Sequence, residues 1–169
     1  DFTEGKDLSS YLGIQIESSP DKSMLSMTQP HLTQLIVQTM GLEDAGRKFV
    51  PSTAILHKAL DQPPASGQFH YRSVLGMSMY LACSSRPDCA FAVNQCARFS
   101  HNPRKLHEAA IKQIGKYLRS SMNKGIVIKR QQRAQLNCYV DADFAGMWGS
   151  EDKQDSNSVK SRTGFIIML

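Results

Sequence analysis

The segment from Arg104 to Ser120 constrains this chain most, because its cations and its apolar residues separate only if it is helical. At about 100° per residue, Lys105, Lys112, Lys116 and Arg119 fall within an arc of about 60°, while Leu106, Ala110, Ile114, Tyr117 and Leu118 fall on the opposite side. One face is predicted to be core and the other a basic ridge. Asn102-Pro103 stops whatever precedes this helix, and Asn123-Lys124-Gly125 forms a turn after it. Lys112, Lys116 and Arg119, four and three positions apart at about 1.5 Å per residue, have a spacing comparable with that of phosphates along a nucleic-acid strand.

The ridge belongs to a wider basic region. Residues 98–133 carry ten Lys and Arg against one acid, Glu108, a local balance of +9 in a chain whose net charge is +5, so the remainder is net acidic. Such asymmetry suits a polyanionic partner, since each phosphate neutralised releases a condensed counterion. A solvated helix face is the plainer alternative.

The rest of the 169 residues reads as a mixed α+β chain. With 41% hydrophobic and 21% charged residues, the composition supports a sizeable core and excludes a collagenous or wholly disordered polymer. No apolar run reaches the roughly 18–20 residues of a bilayer crossing, so no membrane partner is expected, and Asp1-Phe2-Thr3-Glu4 does not resemble a secretion signal. Residues 8–28 read as a β-hairpin, with Leu12, Ile14 and Ile16 alternating on one face and a turn at Ser18-Ser19-Pro20-Asp21. Thr28 is the expected N-cap of a helix with Pro30 in its first turn, Leu32, Leu35, Ile36 and Met40 at helical spacing, and Gly41 closing it.

From Arg47 to Gly67 the pattern is lost among Pro51, Pro63 and Pro64, which predicts an extended connecting segment and a candidate domain boundary. Tyr71 to Ser84 is apolar around most of its circumference, as in a helix buried on several sides. Arg86-Pro87-Asp88 interrupts it, and a second helix is predicted from Pro87 to Phe99, burying Phe91, Val93 and Cys96 or their neighbours. Ile126 to Ile128 and Leu136 to Val140 read as strands, Met147 to Lys160 as a loop, and Gly164 to Leu169 as a final strand. A chain that starts without Met and stops inside an apolar run is expected to be a piece of something longer.

Candidate chemistry is sparse. Cys83, Cys89, Cys96 and Cys138 form no C-x-x-C pair and read as buried free thiols of an intracellular protein. The five His residues lack metal-ligand spacing, and there is no P-loop or G-x-G-x-x-G. Asp141 and Asp143 follow the strand ending at Val140; were it to continue, both carboxylates would share one face and could hold a cation, although turn-forming Asp pairs are common at strand ends.

Tyr11-Leu12-Gly13-Ile14, the helix after Gln29-Pro30, Tyr71-Arg72-Ser73-Val74-Leu75-Gly76 with Tyr80-Leu81, Arg86-Pro87-Asp88, His107, Tyr117-Leu118, Asp141-Ala142-Asp143-Phe144-Ala145-Gly146 and Ser161-Arg162-Thr163-Gly164 occur in an order that resembles the polyprotein of copia-type LTR retrotransposons. The resemblance spans nearly the whole chain. It implies that residues 1–45 end the palm and start the thumb of a reverse transcriptase, that 46–130 form thumb and connection, and that 131–169 open a truncated ribonuclease H-like sheet. By the same resemblance, the partner is an RNA–DNA hybrid or template–primer duplex gripped by Lys105, Lys112, Lys116 and Arg119, and the hairpin from Tyr11 to Met27 steadies the primer end.

Asp141 corresponds, by this resemblance, to the first catalytic aspartate of ribonuclease H, with Asp143 a weaker ligand. That chemistry uses two divalent ions, Mg²⁺ in the parent, about 3.5–4 Å apart. The remaining acids are implied downstream and the polymerase aspartates upstream, in other reverse transcriptase and ribonuclease H segments of the polyprotein, so this stretch alone is expected to catalyse neither reaction. The parent is expected in cytoplasmic virus-like particles or in the nucleus. A non-enzymatic nucleic-acid-binding remnant of a retroelement is the competing reading, and a structural domain without a nucleic-acid role is the third.

Overall fold

The computed structural model describes residues 9–52, 54–130, 136–144 and 161–168. They form two units that part between Val127 and Ile128. The predicted loop Met147 to Lys160 lies outside the described residues.

The first unit opens with an antiparallel meander of β1 (Ser10–Tyr11), β2 (Ile14–Ser18) and β3 (Met24–Thr28). The expected hairpin is β2 and β3, with Ile16 opposite Met27. Leu12 is not part of its face. It sits with Gly13 in a two-residue turn, both at positive φ (49° and 79°), and its side chain is exposed. Two successive left-handed residues are what a tight type I′ hairpin turn requires, and the Tyr80 hydroxyl donates to the Leu12 carbonyl at 2.7 Å. The second turn is organised by Asp21, whose carboxylate accepts from the Ser19 and Ser23 hydroxyls and the Ser23 N–H. A fourth strand, β4 (Ile126–Lys129), lies beside β3 in the sheet order β1-β2-β3-β4.

Helix α1 (Pro30–Thr39) starts one residue later than the Thr28 cap predicts. Gln29 is the N-cap and Pro30 fills the first helical position, where its missing N–H costs nothing. Gly41, at φ 63°, closes the helix: its N–H donates to Gln38 and the next N–H, from Leu42, donates to Val37. This Schellman arrangement satisfies two terminal carbonyls and turns buried Leu42 back over Val37. Leu35 stays largely outside, while Thr33, Ile36 and Val37 are the buried positions.

Helix α2 spans Tyr71–Ser84 as predicted, but it is buried on one side only. Tyr71, Val74, Leu75, Ser78, Leu81 and Ala82 face the core, and Met79 and Tyr80 face outward. Pro87 opens a single 3-10 turn, Pro87–Cys89, that leads into α3 (Ala90–Ala97), which ends before the predicted Phe99. Val93 and Cys96 are buried as expected; Phe91 is 58% exposed, its place in the core taken by neighbouring Ala92. Of the thiols, Cys89 and Cys96 are buried and Cys83 and Cys138 are exposed, which corrects the expectation of four buried cysteines. Helix α4 (Lys105–Ser120) packs on α1 and α3, with Ile111, Ile114 and Leu118 essentially inaccessible. Residues on both sides of position 45 contribute to this one core.

Where α2 ends, a charged group is sealed inside. Arg86 is 1% exposed and its guanidinium makes a two-pronged bond to Asp88 (3.0 and 2.9 Å). It also donates to the carbonyl (2.9 Å) and hydroxyl (2.8 Å) of Ser121 just past α4. The Tyr117 hydroxyl donates to the same Asp88 carboxylate at 2.6 Å, and the Tyr117 ring centre lies 5.3 Å from the guanidinium carbon. Burial by itself would lower the Arg86 pKa and raise that of Asp88. The bonds between them outweigh it, so Arg86 is pushed up and Asp88 down.

The second unit is a two-stranded antiparallel ribbon of β5 (Asn137–Asp143) and β6 (Arg162–Met168). β5 runs three residues beyond the predicted end at Val140. Directly paired residues share a face, so Cys138, Val140 and Ala142 line up with Ile167, Phe165 and Thr163 on one side. Tyr139, Asp141 and Asp143 occupy the other.

Gly41 and Gly76 should respond oppositely to the same substitution. Gly41→Ala forces a Cβ into left-handed backbone and should cost about 1 kcal/mol, whereas Gly76→Ala, in open space within α2, should add roughly 0.5–1 kcal/mol. Denaturant midpoints of the two variants should therefore move in opposite directions. Arg86→Met takes the guanidinium away from Asp88 and Ser121 and should cost about 3 kcal/mol, read by the same measurement.

Candidate nucleic-acid interface

The predicted ridge exists as one face of α4, but its four cations are not equivalent. Lys105 is exposed, and its ammonium has no partner among the described residues. Lys116 is half-buried along its stem, and its ammonium likewise has none; only its carbonyl is used, by the Ser120 hydroxyl at 2.9 Å. Lys112 instead donates to Glu108 Oε1 (2.7 Å) and Gln68 Oε1 (2.8 Å) and lies 5.6 Å from the Phe69 ring centre. Arg119 donates through Nη1 to the Ala45 carbonyl at 2.5 Å. Two of the predicted phosphate contacts therefore already hold the protein to itself, with part of their donor capacity left over.

Glu108, the acid inside the basic region, explains the diversion of Lys112. It stands in the first turn of α4, where the helix dipole favours a carboxylate, and it also accepts from the Ser66 N–H and hydroxyl, both at 2.6 Å. Burial would raise its pKa, but the bonds from Lys112 and Ser66 prevail and hold it down to about 2. The long connector is pinned by further side chains of α4. His107 is fully buried, stacks on Phe99 with ring centres 4.2 Å apart, and accepts the Arg104 N–H on Nδ1 at 2.9 Å. That leaves Nε2 to carry the proton and donate to the His57 carbonyl at 2.7 Å. Burial foremost lowers the His107 pKa, with the His57 carbonyl opposing. His107 is among the residues of the resemblance, and a helical wheel places it on the apolar side of α4, although neither signal names its partners.

Asp141 and Asp143 share a face because β5 continues through both. Asp141 is exposed and pairs across the ribbon with Gly164, where an added Cβ would meet the Asp141 carbonyl oxygen at an ordinary contact distance of 4.0 Å; Asp143 is half-exposed and pairs with Arg162. Whether they suit Mg²⁺ depends on the donor set. Magnesium takes about six oxygen ligands and a two-ion centre needs several bridging acids, yet no group of three or more His, Cys, Asp or Glu able to hold a metal occurs among the described residues. These two carboxylates do not fit a two-ion centre by themselves. Among the described residues no helix is long and apolar enough to cross a membrane.

Comparison with known proteins agrees with the motif order. The chain is 30% identical over 169 residues to the retrovirus-related Pol polyprotein from transposon RE2 of Arabidopsis thaliana, a match that covers 98% of the chain and 11% of that protein. It is 37% identical over 99 residues to the corresponding polyprotein from transposon RE1 of the same plant, covering 59% of the chain and 6% of the relative. An uncharacterized mitochondrial protein of Arabidopsis thaliana is 25% identical over 159 residues, covering 94% of the chain and 62% of that protein. No family model matches the chain, and no solved structure does.

Glu108 supplies a pH prediction. Its lowered pKa means that its contribution to stability is complete above the ordinary glutamate range, near pH 4.5, and is lost as pH falls toward 2. Glu108→Gln should therefore unfold at a lower temperature than the parent at pH 7, with the gap closing between pH 4.5 and 2 in thermal melts. Spanning about a tenth or less of the two transposon polyproteins it matches, the chain belongs to the Pol polyproteins of copia-type retrotransposons, as a segment of them.

Proposed function

We propose that this segment grips the sugar–phosphate backbone of a template–primer or RNA–DNA hybrid duplex, as the thumb and connection of a reverse transcriptase running into the start of ribonuclease H. The observation that carries the reading is the cationic face of α4, on which the ammonium groups of Lys105 and Lys116 remain unpaired among the described residues. Lys112 and Arg119 add positive charge between and beyond them while bracing the connector. An array of point charges on one helix suits recognition through backbone and shape, as A-form-like duplexes demand, because their deep groove excludes side chains.

Asp141 would be one acid of a hydrolytic centre completed by other segments of the polyprotein, with Mg²⁺ as its ion. The similarity to a mitochondrial protein, 62% of whose length the match covers, favours a second reading, a remnant that binds nucleic acid without catalysis. Both readings share the ridge.

Binding of a fluorescent RNA–DNA hybrid, followed by anisotropy across a salt series, tests it. Lys105→Gln with Lys116→Gln should lower the slope of log affinity against log salt by about 0.9 for each phosphate no longer neutralised, without changing the melting temperature of the protein. An unaltered slope overturns the proposal.

A further inference from the structure

Next to the ridge lies an open basin of about 720 Å³, lined among others by Gln68, Phe69, His70, Arg72, His101 and Asn102, with no acidic residue in its wall. Arg72 is exposed at this wall but not loose: its Nε–H donates to the Ser100 carbonyl at 3.0 Å and its Nη2 to His101 Nδ1 at 3.3 Å. The second bond makes Nδ1 an acceptor, so the neutral His101 ring carries its proton on Nε2. Arg72 keeps its Nη1 N–H groups and one Nη2 N–H uncommitted, in a planar fork suited to paired phosphate oxygens.

The basin is continuous with the ridge, since Gln68 and Phe69 in its wall are the residues that Lys112 contacts. Lys105 follows two residues after Pro103, also in that wall, and donates its backbone N–H to Pro63. We propose that Arg72, with the His101 Nε2–H beside it, forms a further phosphate site that receives the nucleic-acid backbone where it leaves α4. The inference rests on the duplex-binding reading above and extends the contact surface from one helix to the start of α2 and the loop before α4.

Holding the guanidinium with two protein acceptors before the ligand arrives removes much of the side-chain entropy that an exposed arginine would otherwise lose on binding. Phosphate contacts of this kind position the duplex and read no sequence. The site therefore predicts affinity and salt dependence without base preference.

The same hybrid-binding assay, on the 169-residue protein, separates the two proposals. Arg72→Gln should lower the salt slope by about 0.9, to a similar extent for hybrids of unrelated sequence. Asn102→Asp adds a carboxylate to the basin wall without touching the bonds of Arg72. It should weaken binding about threefold at low salt, with the effect fading as salt rises, and it decides the matter should Arg72→Gln fail to fold. Folded variants that keep the parental slope and affinity overturn this site. If the Lys105 and Lys116 changes still flatten the slope, the ridge stands without it; if no variant alters the slope, both proposals fall.

Discussion

A single buried guanidinium holds the helical part of this protein in register. The Arg86 side chain lies where α2 ends, where the Pro87 turn begins and where α4 finishes, and it satisfies polar groups of the turn and of the residue just past α4. Removing such a cation from water costs several kcal/mol, and only full pairing recovers it. Here the fork meets a carboxylate on one edge and a carbonyl and hydroxyl on the other, while the Tyr117 ring covers a face. Because Tyr117 lies in the last turn of α4 and Ser121 caps it, the same contacts fix the rotation of that helix about its axis. The direction in which Lys105 and Lys116 point is thus set partly by an ion pair at the far end of the helix.

Helix α4 has two tasks. Its apolar side completes the core, and its polar side both braces the connector and carries unpaired charge. Glu108, Lys112, His107 and Arg119 reach Ser66, Gln68, His57 and Ala45, giving an otherwise irregular stretch between α1 and α2 a set of fixed points. Buried backbone groups must find partners, and in a segment without regular structure side chains of a neighbouring helix supply several of them. The cations left over from that duty are those at positions 105 and 116.

Much of this is legible in the residues themselves. The helical wheel of 104–120 sorts core from ridge, and Pro30, Gly41 and Pro87 mark helix ends where the backbone allows them. What sequence does not reveal depends on partners distant in the chain. Nothing near Lys112 announces Gln68, and nothing near Arg72 announces Ser100 and His101. Leu12 misleads for a local reason: its apolar side chain fits strand alternation where Leu12-Gly13 makes a turn, and a leucine at positive φ is a conformation that propensity argues against. β5 outruns its expected end because Asp is a poor strand former, a preference overridden here by pairing with β6.

In the ribbon of β5 and β6 the register sets Asp141 opposite Gly164, so this carboxylate meets no side chain across the ladder. Side chains alternate with a period of two, so sliding one strand by a single residue would move every side chain of that strand to the other side. Apolar residues stand on both sides, Phe165 and Ile167 on one and Tyr139 and Ile166 on the other, and all four are exposed. Greasy contacts alone therefore do not choose this alignment, whose consequence is a carboxylate left open to water beside a bare backbone position.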